Sequence, residues 1–228
     1  MKLLENVNLD CLSELIHTLS LTTGSCRLQL KLESYSCKMT GDDKKLLRQI
    51  TNTSEDTGLQ ALSPPNLGYG YHSPTVTGQE QDACSTRTFH CLVSTLNASF
   101  RPDYDFSNAK SEEFCRIPNL NTVIEDIHNI FYTSLGDSFC DIKEHLWNTI
   151  DKEIGLQECS FYSYNSDLDS DPYGHCLWYF NFFFYNKKMK RILFFSCQAH
   201  PYGDNMSEDG EEDVYYSGTE MGSSDVEY

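Results

Sequence analysis

Trp178-Tyr179-Phe180-Asn181-Phe182-Phe183-Phe184-Tyr185 is followed by Asn186-Lys187-Lys188-Met189-Lys190 and then Arg191-Ile192-Leu193-Phe194-Phe195-Ser196-Cys197. The two outer runs are too short for the helices of a packed domain and are rich in aromatic and β-branched residues, so they predict strands over 177–185 and 191–197. The five residues between them, four of them polar, suit a hairpin turn. The first run is apolar or aromatic at odd and even positions alike. A strand with one wet face alternates, whereas one covered on both faces does not. The expectation is a sheet with helices on each side.

Upstream, 158–165 alternates as a further strand. Cys26, Leu28, Leu30 and Leu32 alternate with Arg27, Gln29, Lys31 and Glu33, which predicts a half-buried strand to about Cys37. That strand is far in sequence from the others and must join them across the intervening helices. Helical spacing appears at Leu9, Leu12, Ile16 and Leu19, with Asn8 as the expected cap, and a short helix is expected over 42–50. It recurs at Phe89, Leu92, Val93, Leu96 and Phe100, then from Leu120 to Phe131, then from Phe139 to Ile154, with Gly155 at a C-cap position. Arg101 to Phe106 must be a loop. The expected fold class is α+β, an antiparallel sheet of about four to five strands covered by helices.

Residues 51–84 lose apolar periodicity and are rich in Ser, Thr, Pro and Gly, so they are expected to form a mobile linker. The globular domain is expected to comprise 1–50 and 85–202. Residues 203–228 hold nine acidic residues and no basic one, and are expected to be a disordered acidic tail.

The 228-residue chain carries a net charge of −17. Phosphate would repel it, so direct nucleic-acid binding is not expected, and its natural partners carry basic surfaces. No apolar run approaches the roughly 18 residues of a membrane span, and the N-terminus turns polar too early for a secretory signal. The ten cysteines are scattered without a CxxC pair, which predicts reduced thiols rather than a disulfide framework or a zinc site. Asp167-Leu-Asp-Ser-Asp starts like a calcium loop, but Pro172 and Trp178 stand where Gly and Glu are needed. Turn chemistry explains it better. There is no phosphate loop, nucleophile elbow or His-Glu-x-x-His, so no catalytic residue, metal or cofactor is expected and the chain is read as a non-enzyme.

The densest basic cluster is Lys187, Lys188, Lys190 and Arg191. It is either a solvated hairpin tip, a contact for acidic surfaces or a nuclear-import signal. Trp178 and Tyr179 are candidate binding anchors, with core packing as the competing role for Trp178. Ser63 and Ser73 each precede proline and are candidate phosphorylation sites. No Lys or Arg lies between Arg48 and Arg87, so proline-tolerant kinases fit this linker better than basophilic ones.

Three segments carry a resemblance: Glu33-Ser-Tyr-Ser-Cys-Lys-Met through Gly41-Asp-Asp-Lys, Tyr162-Ser-Tyr-Asn-Ser-Asp-Leu-Asp-Ser-Asp-Pro-Tyr-Gly, and Trp178 through Arg191. Met1-Lys-Leu-Leu-Glu-Asn, Ala61-Leu-Ser-Pro-Pro and Leu96-Asn-Ala-Ser-Phe-Arg-Pro-Asp-Tyr-Asp-Phe-Ser add to it. Together they resemble the Maf-type repressors of RNA polymerase III transcription, a family unrelated to the leucine-zipper Maf proteins. The resemblance implies a monomeric α+β domain that docks on the polymerase clamp near its initiation-specific subunits. It implies that docking blocks recruitment to promoters bound by transcription factor IIIB. It further implies control by phosphorylation downstream of the TOR kinase, through a regulatory kinase and phosphatase, and shuttling between nucleus and cytoplasm. A phospho-regulated scaffold with no polymerase role is the alternative, separated from the first by whether polymerase III subunits co-purify.

Overall fold

The computed structural model describes residues 1–23, 25–53, 58–64, 83–166, 172–174 and 176–202. The hairpin that opens the sequence argument forms as β7 (Trp178–Asn186) and β8 (Arg191–His200). Its turn is closed by Lys190 N donating to Lys187 O at 3.3 Å and by Met189 N donating to Asn186 Oδ1 at 3.0 Å. Lys190 takes φ 54°, the left-handed conformation that ends many such loops but that a side chain adopts at a cost.

β8 pairs on its other edge with β2 (Arg27–Ser36), antiparallel over ten residues from Arg27↔His200 to Ser36↔Arg191. The distant first strand thus lies beside the last one, as its alternation requires. β7 pairs with β6 (Cys159–Tyr164). Two strands of this sheet were not legible in the sequence. β1 (Lys2–Leu4) flanks β2, and β5 (Phe114–Ile117) flanks β6. The sheet therefore has six strands, ordered β1-β2-β8-β7-β6-β5, rather than four to five.

Helices cover both faces. α1 (Val7–Thr23), α4 (Leu120–Leu135) and α5 (Ser138–Ile154) lie on one side. α2 (Gly41–Thr53) and α3 (Thr86–Phe100) lie on the other. The period of two along β7 distributes its rings: Phe180, Phe182 and Phe184 enter the first core, while Phe183 and Tyr185 enter the second. Burying each such ring contributes about 1.5–3 kcal/mol, which explains a strand without a wet face. Gly155 ends α5 in the left-handed conformation at φ 64°, as its position predicts. The cap of α1 is not Asn8: Asn6 O accepts from Leu9 N and Asp10 N, and Asn6 Oδ1 accepts from Asn8 N. Asn8 already lies inside the helix, because the chain turns directly out of β1.

The segment 51–84 is not uniformly without structure. α2 runs on to Thr53, and β3 (Leu59–Ala61) pairs with β4 (Ala83–Ser85) as a separate two-stranded ribbon. Leu62 is buried, and Ser63 bridges to Cys115 on the outer edge of β5. Residues 65–82, including Ser73, the Asp167–Asp171 turn and the acidic tail from 203 lie outside the described residues.

Candidate functional site

The candidate binding residues fall at opposite ends of β7. Trp178 and Tyr179 begin the strand, whereas Lys187, Lys188, Lys190 and Arg191 follow its end. Nine strand residues rise about 3.3 Å each, so the two groups stand roughly 26 Å apart. They do not form one site.

At the turn end, Lys187, Lys188 and Lys190 are exposed and Arg191 is half-buried. Strand pairing adds residues that sequence reasoning left out. Lys2 is opposite Ser36, and Ser36 is opposite Arg191, so Lys2 stands two strands from the turn. Lys38 follows Cys37, whose N–H donates to Lys190 O at 2.9 Å. Both lysines are exposed. A basic end of the sheet therefore forms in a chain of net charge −17. Two acidic groups brace it. Glu158 meets Lys188 at 2.5 Å. Glu153, on α5, accepts from Arg191 at 3.2 Å, from Ser34 Oγ at 2.6 Å and from Asn6 Nδ2 at 2.7 Å. Glu153 thereby joins the first segment, the third segment and the N-terminal residues at one carboxylate. Asn186 donates to Ile154 O at 2.8 Å and fixes the turn on the end of α5.

At the other end the rings are engaged inside the molecule. Trp178 is half-buried and lies parallel to Phe180, with centroids 6.3 Å apart and planes 6° apart. It packs against the first core, so core packing accounts for part of it and leaves part of the ring to solvent. Its neighbour Leu177 is 58% exposed and leaves a second apolar side chain in solvent at this end of the strand. Tyr179 stacks on Tyr173 at 4.1 Å and shares a hydrogen bond with Ser166 at 2.9 Å. Tyr173 donates to Asn181 Oδ1, and Asn181 Nδ2 donates to Tyr164 O at 3.3 Å. Asn181 is the one polar residue in the aromatic run, and it satisfies buried groups of the second segment. The second and third segments are thus tied together by side-chain contacts.

Ser63 sits on the β5 edge. Its N–H donates to Phe114 O at 2.9 Å, and its hydroxyl donates to Glu112 O. All ten cysteines are free thiols. Among the described residues, no three His, Cys, Asp or Glu side chains gather to hold a metal ion, and no helix is long and apolar enough to cross a membrane.

Known proteins match this arrangement. The family model described as Maf1 regulator matches residues 28–196. A Schizosaccharomyces pombe protein named repressor of RNA polymerase III transcription maf1 is 35% identical over 203 residues, covering 87% of this chain and 83% of that protein. A Dictyostelium discoideum protein named repressor of RNA polymerase III transcription is 31% identical over 257 residues, covering 93% of this chain and 89% of that protein. The crystal structure of citrus MAF1 superposes with a TM-score of 0.58 at 27% identity, covering 85% of this chain and 98% of the citrus chain. The match spans both cores and all three signature segments, and the chain belongs to the Maf1 regulator family.

Proposed function

We propose that this protein represses transcription by RNA polymerase III, acting by binding rather than by catalysis. The observation that carries this reading is similarity to two relatives named repressors of RNA polymerase III transcription over about nine-tenths of the chain. In the mechanism we propose, the protein docks on the polymerase clamp near its initiation-specific subunits and blocks recruitment to transcription factor IIIB. Exclusion of this kind needs a rigid body with a broad contact. The split candidate site fits such a partner: a surface that engages both ends of β7 must span roughly 26 Å, as a large assembly does and a short peptide segment need not. The exposed lysines supply electrostatic steering toward an acidic surface, and Trp178 with Leu177 supplies an apolar anchor.

Control follows from Ser63 and Ser73 in the same proposal. A phosphoryl group on Ser63 removes the hydroxyl donor to Glu112 O and adds a charge of about −1.5 to −2 beside Glu112 and Glu113. A kinase downstream of TOR and an opposing phosphatase would then set repression, and with it the balance between nucleus and cytoplasm. Of the import candidates, Lys187, Lys188 and Lys190 are exposed to a receptor, while Arg191 is held by Glu153.

The test is association of purified polymerase III with the protein and with a triple variant, Lys187→Glu, Lys188→Glu, Lys190→Glu. All three side chains are exposed, so the fold should persist, with a loss of roughly 1 kcal/mol as Lys188→Glu turns the ion pair with Glu158 into repulsion. The association rate should fall about tenfold or more at low ionic strength and converge with that of the parent as salt rises. Equal rates at every salt concentration would remove the basic turn from the interface. No binding by the parent protein would remove the polymerase reading altogether.

A further inference from the structure

One stretch of the outer edge of β2 is open. In an antiparallel ladder the N–H and C=O of one residue face the same neighbour, and successive residues face opposite neighbours. Leu28 faces away from β8: its N–H donates to Ser20 Oγ at 2.9 Å, and its carbonyl accepts from His17 Nδ1 at 2.7 Å, both on α1. By that alternation Leu30, Leu32, Ser34 and Ser36 face the same way. β1 pairs with the last two, Leu4 opposite Ser34 and Lys2 opposite Ser36. Leu30 and Leu32 fall between the cover that α1 gives Leu28 and the end of β1. Among the described residues no hydrogen bond reaches their outward N–H and C=O groups.

These two rungs are accessible. A cleft of about 610 Å³ between α1 and β2 is lined by Gln29 and Leu30 with Ser13, Glu14 and His17. A smaller one of about 120 Å³ lies at Leu32 and is lined by Glu5 and Asp10. The charges that would guard such an edge are turned onto α3. Lys31 Nζ donates to Ser99 O at 3.2 Å and lies over the Phe100 ring. Glu33 accepts from the Tyr35 hydroxyl at 2.8 Å and from Ser99 Oγ at 2.5 Å. On the opposite side of the sheet, by contrast, Ser63 N–H donates to Phe114 O and occupies the edge of β5.

We propose that the open edge of β2 is a docking site for an extended, basic segment of a partner protein, which adds there as a short strand. Leu30 and Leu32 offer it two backbone donors and two acceptors. Charge selects the occupant. Glu5, Asp10 and Glu14 are exposed, line the two clefts and form no ion pair among the described residues. Arg27 is the only Lys or Arg among the residues lining either cleft. A strand that alternates lysine or arginine with small apolar residues sets its charges against this row and its backbone against the rungs. A second copy of this chain, at net charge −17, is repelled from the same edge. This docking goes beyond repression and does not depend on it.

The test is residue-resolved amide hydrogen exchange by NMR on the full chain, alone and with a short end-blocked peptide that alternates lysine with valine. In the free protein the amides of Leu30 and Leu32 should exchange about tenfold or more faster than those of Gln29 and Lys31, which face β8. The peptide should slow Leu30 and Leu32 and leave Gln29 and Lys31 unchanged. A peptide alternating glutamate with valine should bind about tenfold or more weakly. The lysine peptide methylated on every backbone nitrogen keeps its charge but loses its donors, and should weaken by a similar factor. Glu14→Lys, on an exposed face of α1, should weaken binding about threefold or more with the fold intact. Equal binding by the methylated peptide would reduce the contact to surface charge and overturn the proposal. Unchanged exchange at Leu30 and Leu32 with the lysine peptide in excess would overturn it as well. So would slow exchange of both amides in the free protein: loss of that protection on dilution would give the edge to a second copy, and its persistence would give it to another segment of the chain.

Discussion

Asp43 is 7% exposed, and burial alone would push its carboxyl up. Hydrogen bonds from the Met1 amine at 2.7 Å and from Thr40 N and Oγ1 at 2.7 and 2.8 Å outweigh burial and hold it below its ordinary value of 3.8. Asp43 N–H in turn donates to Thr40 Oγ1 at 3.4 Å. This reciprocal pair is a capping box at the start of α2. The Gly41-Asp-Asp-Lys portion of the first signature segment therefore has a structural role at Asp43. Asp43→Asn should cost about 1–3 kcal/mol at neutral pH, the scale of a buried group losing charged hydrogen bonds. The sign of the pH dependence follows from the depressed value. The carboxylate stabilises the fold above about pH 3.8, and that stability is lost as pH falls through the lower folded value. The gap between parent and variant in denaturant titrations should thus be full at neutral pH and shrink in acid. A gap that widens in acid would contradict the assignment.

The segment through Ser63, which follows the β3–β4 ribbon, docks on the outer edge of β5, which would otherwise present unpaired backbone groups. Ser63→Asp should loosen this contact without disturbing the main sheet. Hydrogen exchange should show protection at 58–64 falling about five- to tenfold, the loss of roughly one net hydrogen bond. β7 and β8 should be unaffected, and Ser63→Ala should show a smaller change. Full protection in Ser63→Asp would place any phosphate-driven switch elsewhere. This element also shows where sequence reading stops. β7, β8, β6, β2 and the long helices were legible, because each repeats apolar residues at a period of two or of about 3.6. β1 and β5 have three and four residues, too few for a period to show. In 51–84 the buried Leu62 and Cys84 follow no apolar period, and are held by pairing that only tertiary structure creates. The basic turn was legible as a charge cluster. Lys2, Lys38 and Glu153 were not, because pairing across β1, β2 and β8 and the packing of α5 bring them there.

The whole molecule is a sheet with two cores whose central strand carries candidate contacts at both ends, one apolar and one basic. Its net charge of −17 argues for action on the transcription machinery rather than on the template. The proposed repression by steric exclusion would make an ordered demand: the protein would have to occupy the polymerase before the polymerase engages its promoter-bound factor. The most direct measurement is transcription of a transfer RNA gene by purified polymerase III and transcription factor IIIB, with this protein added before or after the two are combined. The account predicts that transcript yield falls with increasing protein when it is added first, and falls much less when it is added after recruitment. Undiminished yield in both orders, with the protein in excess over polymerase, would contradict it.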